Sequence, residues 1–396
     1  MGMIINIDQA LKNREEFNIL GEPLHQMMRD RQEAWEKENP IDLLFVRGTL
    51  DGFQETYSSS IGFEHAFAET GDYAVGPIFN TADGFSATYT SRTFQGGFII
   101  TQQVIEDRKY GKIKDEATKF QTRWHGDIVE YAMKSLDGAF GTPTTWGHKK
   151  PDGSYEYASR IVLNSADTVD GDIMNPNKNP LFCRTHKTVK RSADSVPVEQ
   201  SNMFYIEGLD IDGDDAARIS KLADGINQVI SYMENYKDDN GKYAGVQGAK
   251  SIVAANDPHL KAAITNALQT DKFNQGESVT VNPAYQRATL AVTPYLNDVE
   301  ATRGGAGFFI VDKAYNEANH GLEFTERIPF TLEATETKRP KGITYDGRQR
   351  FDVNVASWRG IAYVRIAAPT SGDFAAGKFT TITPAATIAT IMKTVE

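Results

Sequence analysis

Apolar residues recur at helical spacing in several stretches of the chain. From Ile113 they fall at Ala117, Phe120, Trp124, Ile128 and Tyr131, and Leu136 extends the same side. Steps of three and four mark one face of a helix, so a helix is predicted from about Lys112 to Ser135, with Trp124 on its buried face. At 1.5 Å per residue that is a rod of roughly 35 Å. Gly126 costs such a helix about 1 kcal/mol relative to alanine, so packing has to hold it. A second face runs through Ile219, Leu222, Ala223, Ile226, Val229, Ile230 and Met233, after acidic residues at 212–215 that can cap it and oppose its dipole. Asp238-Asp239-Asn240-Gly241 then reads as a turn. Asp257-Pro258 opens a third helix carrying Leu260, Ile264 and Leu268, with proline at its first position. Residues 8–38 read as two helical pieces parted by Gly21 and Pro23, with a thin apolar stripe that either docks on something larger or stays solvated.

Period-two patterns fill much of the rest. Ala87 to Phe94 alternates like an exposed strand, which Gly96-Gly97 should interrupt before Phe98 to Thr101. With turn residues throughout Gly62 to Asp83, this region reads as a long loop or hairpin without a core of its own. Residues 141–200 read as irregular. Lys250 to Ala255, Thr289 to Val292, Gly307 to Val311, Leu322 to Leu332 and Phe351 to Val355 are predicted strands. Phe351 and Val353 alternate as if half-buried, and Trp358-Arg359-Gly360 should interrupt this strand before Ile361 to Ile366 resumes it. The tail after Ile366 reads as an extended arm or edge strand.

The 396 residues allow two or three domains with real cores. Forty-two basic and 53 acidic side chains leave a formal charge of −11, the wrong sign for a protein that wraps nucleic acid. Any DNA contact should therefore be weak and non-specific. No apolar run approaches a membrane span, and the N-terminus lacks the pattern of a secretory signal, so no membrane association is expected. Cys183 is the sole cysteine, which excludes an intrachain disulfide and a cysteine-cluster zinc site.

Catalytic chemistry leaves little trace. Gly304-Gly305-Ala306-Gly307 precedes a strand, whereas a dinucleotide site needs glycines between a strand and a helix. Asp210, Asp212, Asp214 and Asp215 resemble the start of a calcium loop, but Asp215 stands where that loop needs glycine and Lys221 where it needs glutamate. The seven histidines show no metal-binding pair on a helix. Cys183 and His186 are three residues apart, a weak sign of a nucleophile and its base. The expectation is no enzyme, no catalytic or metal site, and no cofactor. Lys338, Arg339, Lys341, Arg348, Arg350, Arg359 and Arg365 form the densest basic region. Tyr345, Phe351 and Trp358 nearby could stack bases, but salt bridges between subunits are the preferred reading.

The order of the pieces resembles the tailed-phage major capsid proteins, the Hong-Kong-97-type fold. Three segments carry the likeness. Thr90 to Thr101, followed by Val104-Ile105-Glu106-Asp107 and Tyr110-Gly111-Lys112-Ile113, is similar to the end of that family's E-loop entering its spine helix. Asp239 to Lys242, Ser251-Ile252-Val253 and Asp257 to Ile264 resemble its entry into the axial domain. Arg350 to Val355 with Trp358 to Ile361 resembles the strand that closes its peripheral domain.

The resemblance implies an α+β fold with an N-terminal arm over 1–61, an E-loop hairpin over 62–96, and a peripheral domain over 97–244 that holds a spine helix at about 112–136. An axial domain over 245–340, closing peripheral strands over 341–366 and a C-terminal extension over 367–396 complete it. It further implies a major capsid protein that self-assembles into pentamers and hexamers around double-stranded DNA in a virion, built in the host cytoplasm. A separate scaffolding protein is expected, since too little chain precedes the E-loop for a fused one, together with a portal and decoration proteins. An encapsulin-like nanocompartment shell is the alternative. Some members of the family join an E-loop lysine to a neighbour's asparagine. Here no lysine occurs between Glu38 and Arg108, so no such cross-link is expected.

Overall fold

The structure is a computed structural model. It describes residues 26–60, 83–107, 110–140, 144–149, 155–159, 167–168, 176–177, 180–188, 198–209, 215–239, 241–275, 278–301, 307–338, 341–368 and 376–384. A helix over 26–37 (α1) leads to strands Val46–Thr49 (β1), Gln54–Ser60 (β2), Asp83–Thr90 (β3) and Arg92–Thr101 (β4). Helices Gln102–Glu106 (α2) and Tyr110–Ser135 (α3) follow. Three small antiparallel pairs come next: Thr144–Lys149 (β5) with Tyr155–Ser159 (β6), Asp167–Thr168 (β7) with Pro176–Asn177 (β8), and His186–Lys187 (β9) with Glu199–Gln200 (β10). Met203–Ile206 (β11), Asp215–Glu234 (α4), Lys250–Ala255 (β12), Pro258–Gln269 (α5), Lys272–Gln275 (β13), Ser278–Val281 (β14) and Ala288–Thr293 (β15) continue the chain. It ends with Asn297–Ala301 (α6), Gly307–Asp312 (β16), Lys313–Ala318 (α7), Leu322–Lys338 (β17), Lys341–Val355 (β18), Ile361–Arg365 (β19) and Thr380–Ile382 (β20).

Two compact units share these elements. One draws on Met1–Pro40, Thr93–Val129 and Ile328–Arg350, the other on Ile41–Arg92, Glu130–Arg327 and Phe351–Glu396. In the first, Met28 of α1, Ile100 of β4, Ile113 and Ala117 of α3, and Ile343 and Tyr345 of β18 form a core, with Phe98, Phe120 and Leu332 packed against it. The buried stripe of α3 includes two polar residues that sequence periodicity passes over. Gln121 donates from Nε2 to the Met28 carbonyl at 2.7 Å. His125 stacks on Trp35 at 4.1 Å and meets Gln32 Oε1 at 2.6 Å. These contacts seat α1 on α3, so this part of the charged N-terminal segment is docked. Trp124, expected on the buried face, is only half-buried: its ring lies 5.0 Å from Phe330 and its indole donates to Gln349 at 2.9 Å.

The second unit is organised by a mixed six-stranded sheet in the order β15-β12-β16-β19-β11-β20. The central strands β16 and β19 are buried at every residue, which suits their continuous apolar runs. Helices α4 and α5 pack beside one another, α4 touching β11 and β20 and α5 touching β15. Leu222, Ile226, Val229, Ile230 and Met233 are buried on α4, and Leu260, Ile264 and Leu268 on α5. Burying each such side chain contributes roughly 1.5–3 kcal/mol. Asp257 caps α5 by accepting from the Leu260 amide at 2.8 Å.

Four strand expectations need correction. The strand expected from Ala87 to Phe94 is broken at Ser91, with β3 before it and β4 after it in different sheets. Gly96-Gly97 lies inside β4 and does not interrupt it. A Cβ on Gly97 would meet the Tyr345 carbonyl oxygen at 2.6 Å, so this glycine permits close strand approach. The strand expected at 351–355 starts ten residues earlier, and from Phe351 to Val355 it is buried on both faces instead of alternating. Ile361–Arg365 does not resume that strand; the turn at Trp358 sends it into the six-stranded sheet. Within the tail, Thr380–Ile382 forms the sheet's edge strand.

Candidate functional site

Strands β2 and β3 form a two-stranded antiparallel ribbon, in register from Gln54 opposite Thr90 to Ser60 opposite Asp83, with an irregularity between Ser58 and Ser60. Neither strand belongs to any other sheet among the described residues. Residues 61–82, which hold most of the expected E-loop, lie outside the described set. So do residues 1–25 of the expected arm and most of the C-terminal extension.

The ribbon is rooted in the second unit by side chains from distant parts of the sequence. Glu55 closes the turn before β2, accepting from the Asp51 and Gly52 amides at 2.6 and 3.0 Å and from the Tyr57 hydroxyl at 2.8 Å. The Gly52 amide is the largest of the contacts that hold its carboxyl below the usual range. Tyr89 is buried with Leu50, and Tyr57 and Ala356 pack against them. Burial, then the bond to Glu55, pushes the Tyr57 hydroxyl up to about 12. Asn354 brackets Thr90, accepting from its amide and donating to its carbonyl, both at 3.3 Å. Beyond the ribbon, Arg92 Nε lies 3.2 Å from Asp352 Oδ2, while Tyr131 of α3 donates to Asp352 Oδ1 at 2.7 Å. Burial raises the Asp352 carboxyl, and Arg92 pulls it back. Phe53 at the ribbon's foot is 60% exposed.

A second surface lies along β15, which among the described residues pairs with β12 on one side only. Its sequence, Ala-Thr-Leu-Ala-Val-Thr, has no charge and no proline to guard an open edge. Lys261, Thr265, Leu268, Tyr285, Thr289 and Val292 are among the residues lining a cleft of about 620 Å³ beside it.

Among the described residues, Cys183 and His186 are not assembled into a site. Cys183 Sγ contacts Thr185, whereas His186 is fully buried, stacked on Trp358 at 4.2 Å, with Nε2 near Leu181 O and Asn202 Oδ1. Asp210, Asp212 and Asp214 and the run Gly304 to Ala306 lie outside the described residues. Of the basic region, Arg339 lies outside the described residues. Arg359 is buried against Asp239 at 3.1 Å in the same chain, and buried Arg365 donates to the Ala367 carbonyl. For these two arginines the partners are intrachain, which corrects the expectation of bridges between subunits. Tyr345, Phe351 and Trp358 are buried and offer no face to a base. Among the described residues, no group of three potential ligands is placed to hold a metal, and no helix is long and apolar enough to cross a membrane.

The sequence matches no family model and no curated protein. Solved structures are similar to it at low identity. Mycobacterium phage Patience shares 14% identity, covering 90% of this chain and 89% of that one, with a TM-score of 0.45. The bacteriophage PhiM1 mature capsid shares 10%, covering 82% and 85%, at 0.43. The virus-like particle from Pyrococcus furiosus shares 8%, covering 86% and 98%, at 0.40. The chain's own elements make it an α+β fold.

Proposed function

We propose that this chain is a major capsid protein of the Hong-Kong-97 type, the shell subunit of an icosahedral phage head around double-stranded DNA. In this reading residues 62–96, which include β3, are the E-loop, β2 leads into it from the arm over 1–61 that also holds α1, and α3 is the spine helix. The sheet with α4 and α5 belongs to the axial domain and its peripheral neighbour. Pentamers and hexamers form from this subunit with a scaffolding protein, a portal and decoration proteins, inside the host cytoplasm. No catalytic role is proposed.

The observation that carries the reading is the β2–β3 ribbon. An isolated two-stranded hairpin is marginal in water, and this one finds no third strand among the described residues. A neighbouring subunit lying under it would supply the missing surface, and ring-closing contacts of this head-to-tail kind build closed assemblies. The charge of −11 keeps the unassembled subunit soluble.

Electron microscopy of the protein co-expressed with its scaffolding partner should show closed shells, or capsomer-sized rings without that partner. A compact monomer under every condition would sink the proposal. Shells filled with protein cargo instead of DNA would place the chain with encapsulin-like compartments. The absence of lysine from Glu38 to Arg108 adds a second expectation. Covalent joining through the E-loop needs an amine nucleophile, and Arg92 cannot serve because guanidinium stays protonated. Mature particles boiled in detergent should run as one band near 43.9 kDa. A ladder that survives reductant would contradict this.

A further inference from the structure

The residue at the ribbon's root is both strained and titratable. His320 has a φ of 49°, in the left-handed region that side chains with a Cβ seldom adopt. Hydrogen bonds hold it there: its carbonyl oxygen accepts from the Ala356 and Ser357 amides at 2.9 and 3.0 Å and from the Tyr89 hydroxyl at 3.2 Å. Its ring lies 4.4 Å from that of Tyr57 and edge-on to Tyr89 at 6.4 Å. Its Nδ1 is 3.1 Å from Glu323 Oε1. One residue thus ties together β2, β3, β17 and the turn after β18.

The exposure of the pair is lopsided. The imidazole is 47% exposed, whereas the Glu323 side chain is 8% exposed. Protons reach the imidazole freely, but the carboxylate has little water to turn to. The other titratable groups acting on the cluster are acidic: Glu323 from β17, Glu55 and Tyr57 from β2, Tyr89 from β3, and Asp51 from the turn before β2.

We propose that His320 is a proton-operated latch on the ribbon. The imidazolium binds the Glu323 carboxylate and lies over the Tyr57 ring as a cation; when its proton leaves, the ribbon root loosens. Burial raises the Glu323 carboxyl above its ordinary value and His320 draws it back down, so the buried anion depends on the cation beside it. Glu323 is thereby neutralised at the acid end, so the latch is strongest above the range where this carboxyl takes up its proton. It fails when the imidazole gives up that proton, because the ion pair with Glu323 is then lost. The inference holds whether or not the chain builds a shell.

Hydrogen exchange of the full-length protein tests it, at pH 6 and pH 8, with intrinsic rates divided out and the assembly state matched by sedimentation. Peptides covering 54–60 and 83–90 should lose about threefold in protection relative to β12 and β16, the scale of a partly exposed ion pair. His320→Asn keeps a residue tolerant of the left-handed backbone, and Glu323→Gln keeps an acceptor without the charge. Each should flatten the pH dependence. A wild-type ratio that does not change, or a dependence that persists in Glu323→Gln, overturns the latch; should His320→Asn fail to fold, Glu323→Gln decides alone.

Discussion

Replacing Asp312 with alanine should destabilise the second unit by about 3–5 kcal/mol, the scale of breaking a buried ion pair from one side. Lys250 and Asp312 face each other across β12 and β16, with side chains 2% and 0% exposed and Nζ 2.8 Å from Oδ2. The ammonium also donates to the Gly248 and Val246 carbonyls at 2.8 and 3.2 Å. Asp312 in turn accepts from the Gly248 amide at 2.9 Å and caps α7 through the Tyr315 amide at 3.0 Å. Without the carboxylate, a desolvated cation is left with neutral partners only. Guanidinium unfolding followed by tryptophan fluorescence would measure the loss. The double variant Lys250→Met, Asp312→Leu should recover part of it. It should not recover all, because the cap on α7 is worth about 1 kcal/mol by itself. An Asp312→Ala protein within 1 kcal/mol of wild type would show that the sheet does not depend on this pair.

Acid should be nearly as damaging. Burial pushes His186 down to about 3, and burial followed by the nearby Arg31 pushes His125 down to about 4. An unfolded histidine titrates near 6.5. Below that value the unfolded chain takes up protons that the folded one refuses, so stability falls as the pH drops and goes on falling until the folded groups protonate. Two such groups give a slope of up to about 2.7 kcal/mol per pH unit between roughly 6 and 4. Asp352 and Glu323 oppose it, since burial raises both and the fold accepts their protons first. Guanidinium midpoints at pH 7, 6 and 5 should fall steadily. His186→Gln and His125→Gln, which keep a donor near the position of Nε2, should each reduce the slope. Unchanged slopes in both variants would place the acid sensitivity elsewhere.

Local patterning made much of this fold legible. The α3 helix, α4, α5 and β12 lie within two or so residues of where periodicity, capping and turn residues place them, because each is specified by neighbours in sequence. What escaped depends on distant partners. Gln121 and His125 are buried because α1 supplies a carbonyl, an amide and an indole to receive them, and polarity alone reads such residues as exposed. Gly96-Gly97 reads as a break until the opposing carbonyl of Tyr345 is in view. Trp358 reads as an interruption, and nothing local says that the chain changes sheets there. The ribbon root was invisible for the same reason. His320 was one of seven scattered histidines, and the tyrosines that meet it stand more than two hundred residues earlier. A positive φ at a histidine leaves no mark on composition. Of the hairpin, alternation marked Ala87 to Thr90, but it ran on to Phe94 without showing the break at Ser91, and Gln54–Ser60 was not among the predicted strands.

The strand order of the six-stranded sheet also fixes when that sheet can form. Met203 of β11 sits beside Tyr363 of β19, and Phe204 beside Thr380 of β20. Both partners of β11 are thus made long after it, and the whole of α4, β12, α5 and β16 is synthesised in between. Neither side of β11 can be paired until Ile361–Arg365 has left the ribosome. Pairings this remote in sequence carry a loop-closure cost before any contact repays it, and they slow folding. From its own synthesis until β19 follows, β11 is therefore open to wrong partners, which is the condition under which growing chains aggregate or engage chaperones.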